Sequence, residues 1–114
     1  MENGDTEQAV GLFQKSAVES PHFRTFELLG ECLLRLKRIS EAIPYLAAAS
    51  AMNRGVRAPA ILAEAWLALG RHGEALEAAE AALLRDPMNK GALKVRENVV
   101  GRSMLGQVPN PTGE

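Results

Sequence analysis

The sequence predicts an all-α fold: a stack of antiparallel helix pairs with about six helices. Three observations predict it. The stretch Trp66 to Pro87 reads as a helix end, a tight Gly-containing turn, a second amphipathic helix and an Asp-Pro stop. A weaker copy lies 33 residues upstream, where Leu36-Lys37-Arg38-Ile39-Ser40-Glu41-Ala42 aligns with Leu69-Gly70-Arg71-His72-Gly73-Glu74-Ala75. A third, partial copy, Glu7 to Phe13, lies another 33 residues up. A fixed period of this length marks a helical hairpin that cannot bury its own apolar face and does so by stacking on its neighbours.

Composition bounds the rest. The chain has 114 residues, 46% hydrophobic and 24% charged, which suits one small globular domain rather than a disordered segment. A net charge of −1 lacks the basic surplus expected for nucleic-acid binding or a polybasic membrane patch. No apolar run approaches the roughly 18 residues of a membrane span. The opening Met1-Glu2-Asn3-Gly4-Asp5-Thr6-Glu7 is polar and acidic, unlike a signal peptide. The single cysteine, Cys32, has no internal disulfide partner, so the fold is expected to hold by packing, as suits a reducing, cytoplasmic setting. Abundant alanine and only 4% aromatic residues point to closely approached helices.

Taken in order, residues 1–4 are expected to fray and Asp5 to cap the first helix, with Gln8 as the reciprocal partner. Ala9, Leu12, Phe13, Ser16 and Ala17 then recur at helical spacing as its inner face, and Pro21 stops it. A second helix, about 23–37, turns Phe26, Leu29, Gly30 and Leu33 inward, with Leu36 extending the face. Gly30 costs a helix about 1 kcal/mol relative to Ala, a cost that implies close approach by a neighbour. Ser40 is the expected cap of a third helix, about 41–52, buried through Ala42, Ile43, Leu46, Ala49 and Ser50, with Pro44 near its first turn. Gly55 is expected to end it in a left-handed conformation.

Pro59 suits the first turn of a fourth helix, about 58–69, with Leu62, Ala63, Trp66 and Leu69 inward. Gly70 closes it. Gly73 or His72 opens the fifth helix, which buries Ala75, Leu76, Ala79, Ala82 and Leu83 and stops at Asp86-Pro87. A sixth helix, about 90–104, carries Leu93, Val99, Val100 and Met104, and 106–114 reads as a flexible tail. The units are then 5–22, a half repeat holding a second helix only; 23–55 and 56–89, two full repeats; and 90–105, a capping helix.

This pattern resembles the tetratricopeptide repeat family, whose helix–turn–helix unit recurs at about 34 residues. The best copy carries Leu62-Ala63, Trp66, Ala75, Ala79, Ala82 and Pro87. The preceding one carries Phe26, Leu29-Gly30, Leu33, Ala42, Leu46 and Ala49. Half copies contribute Ala9, Phe13, Ser16 and Pro21 at one end, and Leu93 and Val100 at the other. The resemblance spans roughly 5–104 and implies a right-handed superhelical α-α solenoid. Departures are the period of 33, Arg54 where proline is usual, Pro59 where an aromatic is usual, and Arg96-Glu97 in place of Leu-Gly. The last of these reads as the polar face of a terminal cap.

The sequence supports no enzyme. His22 and His72 fall in predicted turns, Cys32 sits among apolar neighbours as a structural thiol, and no metal-ligand spacing or phosphate loop occurs. No cofactor is expected. The resemblance implies a groove lined by the first helix of each unit. Helix two would present Arg24, Glu27, Leu28, Glu31, Leu34 and Arg35; helix four Ala60, Ile61, Glu64, Leu67 and Ala68; helix six Lys94 and Asn98. Lys94 and Asn98 match only one of the Lys/Asn pairs with which a chaperone-binding subgroup of the family grips carboxylates, and Glu27, Glu31 and Glu64 would repel one. The expected function is a scaffold or adaptor module that binds a protein or peptide partner in this groove. The alternative is self-association as a homodimer through the terminal helices, with Leu12 and Phe13 exposed on the first and Val99 or Met104 on the sixth.

Overall fold

The computed structural model describes residues 3–19 and 22–107, with side chains for 6–19 and 22–101. Six helices follow one another: α1 (Asn3–Glu19), α2 (Phe23–Arg35), α3 (Ile39–Met52), α4 (Arg57–Ala68), α5 (His72–Arg85) and α6 (Lys90–Gln107). Each packs on its sequence neighbours, as short connections demand. In addition α4 touches both α2 and α6, so the first helices of successive hairpins form one layer.

The hairpin turns are made the same way twice. Lys37 and Gly70 both take positive φ, 66° and 75°. At the end of α2, Arg38 N–H donates to the Leu33 carbonyl at 2.8 Å and Lys37 N–H to that of Leu34 at 3.0 Å. At the end of α4, Arg71 N–H donates to the Trp66 carbonyl at 3.0 Å and Gly70 N–H to that of Leu67 at 2.9 Å. This doubly bonded cap satisfies helix-end carbonyls that would otherwise be orphaned. Arg38 and Arg71 then serve as the residues before α3 and α5, each ion-paired three residues on, to Glu41 and Glu74.

Two cores lie along the stack. The first joins Val10, Leu29, Cys32, Leu33, Ala42, Leu46 and Ala65. The second is nearly all alanine: Ala60, Ala63, Ala75, Ala78, Ala79, Ala82 and Ala92, with Val95 and Val99. Leu62 packs against both. Gly30 is the close-approach point of the first core. A Cβ built there would lie 2.5 Å from both Cγ and Cδ2 of the fully buried Leu46.

Several expected details differ. The first helix begins at Asn3, so Asp5 is inside it and does not cap it. Its inner face is Thr6 and Val10, with Ala9 and Phe13 partly buried, while Leu12 is 65% exposed. The reason is that α1 packs only against α2, so no helix covers its other side among the described residues. Helix α2 stops at Arg35, because Lys37 has already turned into the left-handed region. Ser40 is not a cap: α3 starts at Ile39, with Arg38 before it.

Gly55 does not adopt positive φ. The end of α3 is held instead by Arg85, whose Nη1 donates to the Asn53 and Gly55 carbonyls at 2.9 Å and whose Nη2 donates to that of Ser50 at 3.1 Å. A cation there also favours the negative end of the helix dipole. Leu69 is 38% exposed, outside the inner stripe. On α6 the buried face is Ala92, Val95 and Val99, while Val100 is 41% exposed, so Val99 is not available as an exposed terminal contact. The Met104 side chain and residues 108–114 lie outside the described parts, as does Pro21, whereas Gly106 and Gln107 are still helical.

Candidate binding groove

The layer of first helices carries an open cleft of about 600 Å³, lined by Glu31, Leu34 and Arg35 of α2, Val56, Arg57, Ala60, Ile61 and Glu64 at and along α4, and Asn89 and Gly91 at the start of α6. A second hollow of about 250 Å³ continues it over Glu64, Leu67, Gly91, Lys94, Val95 and Asn98. Glu64 and Gly91 belong to both, so the two form one groove across α2, α4 and α6.

Of the residues expected there, Glu31, Leu34, Arg35, Ala60, Ile61, Glu64, Leu67, Lys94 and Asn98 line this groove. Arg24, Glu27 and Leu28 do not. They lie further toward the start of α2, where Glu27 is buried at 3% exposure and paired with Arg24 at 3.4 Å. Ala68 is exposed beside the groove rather than in its wall. Val56, Arg57, Asn89, Gly91 and Val95 were not anticipated. The 33-residue register held a signal for one of them: Arg57 stands one period after Arg24 and one before Lys90.

The charges in the groove are unequally satisfied. Arg57 Nε donates to Glu31 Oε2 at 2.7 Å, and its Nη2 reaches the same oxygen. This bond ties α2 to the first turn of α4. Glu64 stands one period after Glu31, yet it has no ion pair among the described residues. By area Glu64 is exposed, but its carboxyl end is folded against α6, with Oε2 only 3.0 Å from where a Cβ on Gly91 would sit. Desolvation there pushes its carboxyl above the ordinary carboxylate range, and the Lys94 ammonium partly opposes that shift. Asn89 caps α6 by accepting from Ala92 N–H at 2.9 Å, which fixes the groove's far wall.

His22 and Cys32 have structural roles. His22 precedes α2 and its Nδ1 accepts from Arg24 N–H at 3.1 Å, while the ring stacks on Phe23 at 4.7 Å. Cys32 is buried in the first core, and that burial pushes its thiol up. Among the described residues no cluster of three or more His, Cys, Asp or Glu could hold a metal ion. Among them, too, no helix is long and apolar enough to cross a membrane.

Six helices, hairpin turns repeating at 33 residues and a groove across the first helices define a helical-repeat protein. The tetratricopeptide repeat family model matches residues 1–55 and 38–92. The chain belongs to the tetratricopeptide repeat family. A comparison with curated proteins gave no match. Repeats of this family generally mediate protein–protein interaction and typically form non-enzymatic modules.

Proposed function

We propose that this chain is a non-enzymatic scaffold or adaptor module that holds a partner peptide or helix in the groove over α2, α4 and α6, acting in the cytoplasm. One observation carries the reading. Charged and apolar side chains from three successive first helices converge on a single continuous groove, with Leu34, Ile61 and Leu67 as apolar floor and Glu31, Arg35, Glu64 and Lys94 as polar wall. Apolar lining with a few placed charges is the usual composition of a recognition groove. In unit terms, the two full repeats 23–55 and 56–89 supply the floor and 90–105 the far wall.

The test is a selection of peptides from a random display library on the intact chain, followed by titration of isotope-labelled protein. Amide shifts confined to α2, α4 and α6, and loss of binding in Glu31→Lys/Glu64→Lys in a chain that still melts cooperatively, are the expected results. Shifts confined to the α3 and α5 side would overturn the reading.

Self-association is the second reading. Leu12 at 65% and Val18 at 84% exposure on α1 favour it. Light scattering behind size exclusion decides it, and a monomer at high concentration removes it.

A further inference from the structure

We infer that Glu64 is the specificity centre of the groove and selects partner segments carrying a lysine or arginine flanked by apolar residues. This rests on the groove reading above and adds the chemistry of the occupant.

Three features of the site converge on that chemistry. Glu64 is the shared wall of both hollows, so any segment running the length of the groove passes it. It is also the acidic side chain of the groove left without an ion pair, since Glu31 is held by Arg57. Glu27 of α2 is buried against Arg24 outside the groove. Finally, the backbone of α6 makes room for the Glu64 carboxyl at Gly91, where a side chain would crowd it. A partly desolvated carboxylate without a contact ion pair is stabilised by an incoming cation that also donates hydrogen bonds.

The apolar requirement comes from the neighbours. Leu34, Ala60 and Ile61 lie on one side of Glu64, and Leu67 and Val95 on the other. A cationic residue at Glu64 therefore places its flanking residues over apolar floor. Arg35 lines the first hollow and Lys94 the second, and both disfavour a uniformly basic segment. The occupant is thus a mixed segment with one central cation, not a polybasic tract. Lys94 lies near enough to influence the Glu64 carboxyl and competes with the incoming cation.

The probe is a random peptide display library of about fifteen residues, selected separately on the intact wild-type chain, on Glu64→Gln and on Glu64→Lys. Glu64 is exposed by area, so neither variant should disturb folding; thermal melts verify this. Wild-type selection should enrich one lysine or arginine between apolar residues. Each selected peptide should lose at least about tenfold in affinity when that residue becomes glutamine, and a similar factor against Glu64→Gln. Selection on Glu64→Lys should favour aspartate or glutamate instead. If the peptides bind over α2, α4 and α6 without enriching a cation, or bind Glu64→Gln as tightly, this inference fails and the groove reading stands. If no peptide binds, or all bind elsewhere, both fail.

Discussion

Lys37 and Gly70 occupy the same left-handed turn, one period apart, at φ 66° and 75°. Both close a doubly bonded helix cap, and both are followed by an arginine that opens the next helix. Glycine adopts this conformation without penalty; a residue with a Cβ pays about 1 kcal/mol. Lys37→Gly should therefore raise stability by roughly 0.5–1 kcal/mol, and Gly70→Lys should lower it by about 1 kcal/mol. Urea unfolding midpoints of the two variants check both signs, and the same sign in both would count against a shared turn.

Gly30 and Leu46 make the tightest contact of the first core, and they should couple. Gly30→Ala alone would gain helix propensity but must push back Leu46, since the new Cβ falls 2.5 Å from Cγ. Overpacking of a buried site costs about 1–3 kcal/mol, which outweighs the roughly 1 kcal/mol of propensity at most positions in that range. Leu46→Ala alone should cost about 2–5 kcal/mol by leaving a cavity. The double variant should be more stable than the sum of the two, because the alanine at 30 then has room. Strict additivity in chemical denaturation would show that the contact is not the constraint.

These pairs also explain what was legible in the sequence. Gly30, Gly70 and the alanine stripe are local signals whose meaning is fixed by helix geometry, so the hairpins and their register could be read directly. Leu12 could not. Its register equivalents are Tyr45, which stacks on Phe26 at 6.2 Å, and Ala78, buried in the second core. The periodic pattern of α1 presupposes a neighbour that is not present among the described residues, so an apolar side chain at a buried register position stays exposed. The lining of the candidate groove is legible where it falls mid-helix, at Glu31, Leu34, Ile61 and Glu64. It was not legible at Arg57, Asn89 and Gly91, which are brought in by helix starts whose placement depends on how the hairpins stack. Arg24, Glu27 and Leu28 fall outside the two hollows because a helix face is wider than a groove, and Glu27 is buried.

Arg85 ties two repeats together through three backbone carbonyls on Ser50, Asn53 and Gly55. Arg85→Ala should cost about 1 kcal/mol, modest because the arginine is exposed. Arg85→Lys should not recover it fully, since an ammonium cannot fork across three acceptors as a guanidinium does. Hydrogen exchange should quicken at the α3–α4 connection in both variants and stay unchanged at the Lys37 turn.

Cys32 offers a clean report on the first core. Its thiol is 8% exposed and desolvation raises its pKa, which outweighs the lowering by Arg35. A buried protonated thiol is a poor nucleophile. Native protein should therefore react with a water-soluble disulfide reagent far more slowly than urea-unfolded protein, and Gly30→Ala should speed the native reaction by loosening the packing around Leu46. A native rate equal to the unfolded one would contradict the burial.

Glu64 and Glu41 should mark opposite sides of the acid range. The folded Glu64 carboxyl is raised above its ordinary value of 4.5, chiefly by desolvation, so the folded state binds its proton more tightly than the unfolded chain does. Its contribution to stability is fully present below 4.5 and is lost as pH rises through the folded value. Lys94 faces it from α6 and limits the loss; Arg35 and the Arg57–Glu31 pair stand across the groove. Glu41 behaves the other way. Its hydrogen bonds from Arg38 lower its carboxyl from 4.5, so its contribution is present above that pH and disappears as pH falls through the folded value. Glu64→Gln should thus flatten the stability profile above 4.5, and Glu41→Gln should flatten it below. Both groups are solvent-exposed by area, so each effect should be small and should shrink with added salt for Glu41 more than for Glu64. Thermal melts at half-unit pH steps in low and high salt separate the two, and a Glu64→Gln profile that changes only below 4.5 would show that the groove does not desolvate this carboxyl.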